Sequence, residues 1–370
     1  MAKAPQLNSH DRLLKTLTRR DSEFDSYLLG TFSTQSRAIP VQTLNANSDS
    51  ELVTFQIVPV EEIHQPPWFI KWPEVFKVRS LILVAFPIFC LLTNNLADEV
   101  PMDATLVACS VLSALFIFVG ANLLNDYFDY VRGLDRIHPE QKPIQKGWVT
   151  AAATRAWAAV YLAVGGLLGL PAVVVQPVLL YLVALPTGVA LGAWLTRLRG
   201  LRFRRGAEIL VFLMAGPLLT VGFQVAVTGQ ADVESLWIGA LTGWFAVFLV
   251  HLKNFSSLMV NAQAGFQNTI VLLGFDRSKK MLAIWWLVLL IGFSAYQYVY
   301  ALPEWFVASL VGPPLISVSF WRKLREVKSP AGSGLQKLDQ LGRTVALLLV
   351  TWWTIENLCS LLMVELGSGG

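Results

Sequence analysis

The sequence predicts an all-α integral membrane protein carrying a polar N-terminal extension. Three observations predict it. First, 54% of the 370 residues are hydrophobic and only 15% are charged, with a mean hydropathy of +0.53; a soluble domain carries about 25% charged residues. Second, the apolar residues fall in long blocks, each close to the ~20 residues that cross a bilayer as a helix. Third, the loops between those blocks alternate in charge. A formal net charge of only +4 makes no case for a nucleic-acid binder. Cys90, Cys109 and Cys359 lie inside apolar blocks without metal-ligand spacing and read as packed thiols.

Residues 1–73 form the extension, and residues 74–370 the membrane domain. Lys3, Asp11, Arg12 and Lys15 leave no room for an apolar signal-peptide core. Leu13, Leu14, Leu17, Phe24 and Leu28 recur at roughly helical spacing. They suit either an amphipathic helix or a solvated arm. Val53, Phe55 and Ile57 alternate with Thr54 and Gln56, as a short strand does. Gln65-Pro66-Pro67-Trp68 marks the break before the membrane.

Nine spans follow, at 76–96, 104–124, 154–172, 174–195, 206–228, 235–252, 281–300, 303–320 and 343–364. Pro313-Pro314 should kink or break the eighth. Lys71, Lys77 and Arg79 precede the first span, and Asp98, Glu99 and Asp103 follow it. The later loops keep the alternation: Arg132 to Lys146 basic, Arg197 to Arg205 basic, Asp232 and Glu234 acidic, Lys253 to Lys280 basic, Arg322 to Arg343 basic. By the positive-inside rule the N-terminus is cytoplasmic and the C-terminus lies on the opposite side. A missed span would break the alternation, so it supports the count of nine.

The chemistry concentrates at the cytoplasmic end of the second span. In Asn125-Asp126-Tyr127-Phe128-Asp129 the two carboxylates are three apart, and Asn122 lies four before Asp126. Such residues share one helix face. Two carboxylates that close repel unless a cation lies between them. Mg²⁺ suits an oxygen-rich site that keeps waters and adds substrate phosphates, and ionisable groups at membrane depth usually mark function. Asp135, Lys142 and Lys146 follow on the same side, and the lysines bring cations toward a diphosphate. The plainer alternative is a set of helix-end polar residues at headgroup level.

Asn125-Asp126-Tyr-Phe-Asp129-Tyr-Val-Arg-Gly133-Leu-Asp135, followed by Lys142-Pro-Ile-Gln-Lys146-Gly147, resembles the first signature of the UbiA-superfamily prenyltransferases. Within it the 1,4-dihydroxy-2-naphthoate polyprenyltransferase branch is the most similar. Gly206-Ala-Glu208 through Gly216-Pro217, Ala264-Gly265 and Val271-Leu-Leu-Gly274 continue the resemblance. It implies nine helices around a central cavity. It also implies a polyprenyl diphosphate held through Mg²⁺ on Asp126 and Asp129, and an aromatic acceptor alkylated by the allylic carbon. Asn122, Asn125, Asp135, Lys142 and Lys146 would help bind substrate, with membrane lipid around the helices.

One segment departs from the pattern. The second acidic motif should occupy Asn254 to Asn268, but its two carboxylate positions hold Ser257 and Asn261, beside Asn254. Phe266 and Gln267 stand where the family has a basic pair. Neutral Ser257 and Asn261 bring no charge to the metal and no base at pH 7. Asp276 lies too far downstream to substitute. Two readings stay open: a prenyltransferase of quinone biosynthesis, or an inactive homologue that binds a quinone, isoprenoid or pigment tail, or serves as a structural subunit of a membrane complex. In the second, the extension would meet partners. Among single residues, His251 suits either a cavity wall or an interface, Glu208 an ion pair with the preceding arginines, and Glu356 a hydrogen bond inside the bundle or a protonated state.

Overall fold

The computed structural model describes residues 13–46, 48–137, 142–184, 186–188, 207–263, 267–330 and 334–368. They fall into two compact units, Met1–Arg79 with Phe116–Val164, and Ser80–Leu115 with Gly165–Gly370.

The first unit opens with a three-stranded antiparallel sheet in the order β1-β3-β2: β1 (Leu14–Thr18), β2 (Ser36–Leu44) and β3 (Leu52–Pro59). The strand expected around Val53 to Ile57 is β3, at the centre. The amphipathic helix expected over Leu13 to Leu28 is not what forms. Leu14 to Thr18 pair with Gln56 to Leu52, and a turn at Asp21 separates them from helix α1 (Phe24–Leu29). The Asp21 carboxylate accepts from the Thr18 amide at 2.7 Å. That bond ends the strand and uses the residues a continuous helix would need. Pro40 sits in β2, an edge strand, where the missing N–H costs least.

Alternation along β3 sends Val53 and Phe55 inward, both fully buried. They meet Leu17, Phe24 and Leu28, and the cluster is completed by Tyr127, Tyr130, Ile144 and Ala151. Burial of each large side chain contributes about 1.5–3 kcal/mol. So small a sheet could not close a core from its own strands; here the helices and loop that follow the first unit's membrane stretch supply the missing wall. Glu51, just before β3, is inaccessible to solvent and ion-paired to Arg19 at 2.8 Å and to Arg136 at 2.5 Å.

Helix α2 (Trp68–Val75) leads to the membrane helices. These are α3 (Ile82–Ala97), α4 (Ala104–Val131), the single turn α5 (Leu134–Ile137) and α6 (Ala151–Val175). After them come α7 (Ala207–Ala215), α8 (Pro217–Thr228), α9 (Val233–Ser256) and α10 (Leu258–Gln263). The last three are α11 (Thr269–Tyr300), α12 (Pro303–Glu326) and α13 (Gly334–Ser368). Among the described residues seven helical stretches are long and apolar enough to cross a membrane. The chain is an integral, multi-pass membrane protein. Val160, Leu167, Leu170 and Val174 on α6 are exposed, as are Ile284, Leu287, Val288 and Ile291 on α11. Lipid is the solvent such faces require.

Individual spans differ from expectation in instructive ways. The fifth is broken at Gly216-Pro217 into α7 and α8. The seventh begins early, at Thr269, with a non-helical joint at Gly274 (φ 72°). The eighth runs helical through Pro313-Pro314, where Ser317 Oγ donates to the Pro313 carbonyl at 2.7 Å. The second continues to Val131, beyond its apolar stretch, because Tyr127 and Tyr130 have the sheet to pack on. Of the fourth, Leu180–Ala184 form a π-helical turn, and residues 185 and 189–195 lie outside the described residues.

In the second unit α9 is central, packed by α3, α7, α8, α11 and α13. Gly239 and Gly243 on α9 let the Gly216-Pro217 break approach closely: a Cβ on Gly243 would stand 2.4 Å from the Phe212 carbonyl oxygen. Small residues at such crossings replace the hydrophobic drive that lipid removes. Gly243→Ala should therefore lower the unfolding temperature in detergent. Gly166→Ala should not, because nothing lies within 4 Å of that position and alanine is the better helix former by about 1 kcal/mol. Thermal unfolding of the two variants side by side measures the difference, and equal shifts would contradict close packing at Gly243.

Candidate active site

Helix register builds the site. Asn122, Asn125, Asp126 and Asp129 fall on one side of the last three turns of α4, while Tyr127 and Tyr130 enter the sheet's core from a neighbouring side. The chain then reverses at Gly133, whose φ of 80° suits glycine, and α5 returns Asp135 toward the same face. Asp126, Asp129 and Asp135 are each no more than 5% exposed, and one carboxylate oxygen of each lies within 4.8 Å of the others. Among the described residues no second group of this kind occurs.

Three carboxylates this close repel one another. At about 5 Å and an effective dielectric near 20, each pair costs about 3 kcal/mol. The cluster persists because ammonium groups enter it. Lys142 Nζ lies 3.1 Å from Asp126, 3.5 Å from Asp129 and 2.7 Å from Asp135. Lys77 Nζ lies 2.7 Å from Asp126. Asn125 donates to Asp129 at 3.2 Å. Burial pushes the Asp135 carboxyl up to about 6; the Lys142 ammonium pulls against the rise and the Asp129 charge adds to it. Arg132, over the Phe128 ring at 5.0 Å, is lowered by burial, with Asp129 opposing.

The loop that carries Lys142 is braced from within. Its amide donates to Gln145 Oε1 at 2.6 Å, the Gln145 side-chain amide donates to the Asp135 carbonyl, and the chain turns again at Gly147 (φ 71°). Lys146 does not join the carboxylates: it pairs with Glu74 at 2.8 Å and lies over the Trp148 ring at 4.3 Å. Asn122 donates to the Phe118 carbonyl of its own helix at 3.0 Å. Lys77, by contrast, was visible in the sequence only as one of the charges before the first span. Its backbone is left-handed, φ 52°, a conformation uncommon outside glycine and often found at functional positions.

Three buried carboxylates with the Asn125 amide beside them are a donor set that suits a hard divalent cation, which prefers oxygen ligands. The lysine ammonium groups stand on the oxygens that such an ion would share.

The other sequence candidates belong to the second unit. Ser257 caps the end of α9, and Asn261, buried, donates its backbone N–H to the Ser257 carbonyl at 2.9 Å. Asn254 is half-buried on the last turn of α9. Gln267 is exposed, Asp276 is exposed, and Phe266 lies outside the described residues. His251 is an interface residue: its ring packs on Trp285 at 4.7 Å, and Nε2 sits 3.3 Å from the Ser278 carbonyl. Glu208 accepts from Thr269 at 2.9 Å, and the arginines expected beside it lie outside the described residues. Glu356 is buried.

Known proteins resemble this chain in sequence and in fold. A 1,4-dihydroxy-2-naphthoate octaprenyltransferase of Mycobacterium tuberculosis is 27% identical over 256 residues, which cover 67% of this chain and 81% of that protein. A UbiA homolog from Archaeoglobus fulgidus, solved bound to GPP and Mg²⁺, superposes with a TM-score of 0.54 at 15% identity, covering 79% of this chain and 99% of the other. The apo UbiA homolog from Aeropyrum pernix K1 gives 0.55 at 14% identity, over 74% and 97%. The family model for the UbiA prenyltransferase family matches residues 84–335, more than half of the sequence, and the chain belongs to that family.

Proposed function

We propose that the chain moves a polyprenyl group from its diphosphate to an aromatic acceptor of the dihydroxynaphthoate kind, in quinone biosynthesis. The observation that carries the reading is the buried cluster of Asp126, Asp129 and Asp135 with Lys77 and Lys142 upon it. The Mycobacterium tuberculosis relative's name and the Archaeoglobus fulgidus homolog's bound GPP and Mg²⁺ support it. In this reading residues 74–370 form a nine-span domain around a central cavity. Residues 1–73 are a cytoplasmic extension, and the C-terminus lies across the membrane.

Asp126 and Asp129 would hold Mg²⁺, with Asp135, Asn122 and Asn125 in support. The chemistry a bound Mg²⁺ supplies is positive charge against the departing diphosphate. The protein's own part begins with Lys77 and Lys142. Each is partly exposed and flexible, so each can transfer its charge from carboxylate to phosphate oxygen as substrate enters. Lys146 would have to leave Glu74, its partner at 2.8 Å, to reach a phosphate. The allylic C–O bond breaks with its electron pair leaving on diphosphate. The freed carbon bonds to a ring carbon of the acceptor, and that ring carbon passes its proton to the released diphosphate or to water. Asn254, Ser257 and Asn261 offer polar contacts but no charge. The acceptor must therefore ionise without a base from that segment.

That neutral segment is the specific observation favouring the second reading, a non-catalytic homologue that binds a quinone, isoprenoid or pigment, or joins a membrane complex. An assay of purified protein with Mg²⁺, a polyprenyl diphosphate and dihydroxynaphthoate decides between them. Asp126→Ala and Asp129→Ala should each lower turnover by at least ~10²-fold, the scale lost when one electrostatic contact to developing charge is removed. Product formation should also stop with EDTA and return with Mg²⁺. No product from the unaltered protein, under any metal, would sink the enzymatic reading.

Two further outcomes follow from the residues. Lys77→Ala should raise KM for the diphosphate substrate more than it lowers kcat, because it removes a charge that acts on binding; steady-state kinetics separates the two. Ser257→Asp with Asn261→Asp should lower the Mg²⁺ concentration needed for half-maximal turnover. An unchanged Mg²⁺ titration would place that segment outside the chemistry.

A further inference from the structure

The first unit's sheet lies outside the family match, which begins at residue 84, yet it holds the loop that carries two of the site's charged groups. Glu51 is wholly buried and receives Arg136 Nη2 at 2.5 Å and Arg19 Nη1 at 2.8 Å. The Arg136 side chain is itself fully covered, reaches back to the Val131 carbonyl at 3.4 Å, and follows Asp135 directly in the chain. Around this pair the sheet side closes on the loop at glycines. A Cβ on Gly133 would meet Ala46 Cβ at 2.8 Å, and one on Gly147 would meet Ile63 at 3.1 Å and Ile39 at 3.4 Å. The left-handed glycines on either side of Asp135 and Lys142 are thus among the places where the extension presses on the loop.

We infer that Glu51 is a positioning residue for the carboxylate cluster, acting through Arg136, and that the extension is a working part of the site. The inference rests on the proposed reading of the cluster as a metal and diphosphate site. Breaking a buried ion pair leaves an uncompensated charge, so the loop must shift to hydrate Arg136, and Asp135 shifts with it. Arg19 is the internal control: it shares Glu51, but its own backbone belongs to the sheet side and not to the loop.

The test uses full-length protein in detergent, with Mn²⁺ alone as the metal probe, read by electron paramagnetic resonance. Glu51→Gln and Arg136→Gln should each weaken Mn²⁺ binding about tenfold. The double variant should be no weaker than either single, because both remove one interaction. Arg19→Gln should leave Mn²⁺ affinity near that of the parent. In turnover assays Glu51→Gln should raise KM for a polyprenyl diphosphate while KM for the aromatic acceptor stays put, a split that general destabilisation does not produce. Should Glu51→Gln fail to fold, Ile39→Ala with Ile63→Ala loosens the same loop at Gly147 without touching a charge and should weaken Mn²⁺ likewise. Parent-like Mn²⁺ binding in the folded variants, or additive losses in the double, overturns the inference alone. If the parent itself binds no Mn²⁺ in an Asp126-dependent way, the reading of the site falls, and this inference falls with it.

Discussion

Mutual repulsion among Asp126, Asp129 and Asp135 is the constraint on which the rest of the first unit depends. Three carboxylates no more than 5% exposed cannot stay close in a weakly screening environment unless positive charge is delivered among them. Lys142 touches all three, and Lys77 reaches Asp126 from a different segment of chain. Each delivery requires an unusual backbone: a left-handed Lys77 before the first membrane helix, and left-handed Gly133 and Gly147 on either side of the loop. Such conformations persist where surrounding structure over-determines them. Here that structure is the sheet core and the Glu51 ion pairs.

The membrane accounts for the second unit on other grounds. Lipid offers no hydrophobic drive for helix association, so close approach at Gly216, Gly239 and Gly243 takes over that role. Buried polar groups find one another inside the unit. Asn95 and Gln224 exchange two hydrogen bonds at 3.0 Å, and Glu234 accepts from Asn94 and Tyr296. These contacts hold the helices without entering the candidate chemistry. The neutral Asn254, Ser257 and Asn261 belong to this unit and keep ordinary helix-end bonding, as at Ser257, which caps α9.

Much of the fold was legible because its causes are local. Helices at membrane length announce themselves by hydropathy, and the register that gathers Asn122, Asn125, Asp126 and Asp129 follows from helical spacing alone. The strand at Val53 to Ile57 was legible from alternation. What escaped were features whose causes lie far along the chain. The Leu13 to Leu28 stretch has helical spacing, yet Leu14 to Thr18 pair with a strand some forty positions away, and pairing overrides propensity. Lys77 carries no sequence mark that separates it from Lys71 or Arg79, and only the left-handed turn aims it at Asp126. Lys146 matched the pattern as well as Lys142 did, but Glu74 and Trp148 hold it elsewhere. Glu51 looked like one charge in a polar arm.

The sequence by itself determined that this chain crosses a membrane and that its acids cluster at the end of the second long helix. Composition and periodicity suffice there, because each follows from residues within a few turns of one another. Only the tertiary structure decided which cations meet those acids and that Leu14 to Pro59 form a folded sheet bound to the loop that carries Asp135 and Lys142. Those outcomes depend on long-range pairing, burial and backbone conformation, which join residues as distant as Lys77 and Asp126, or Glu51 and Arg136, and no local pattern records them.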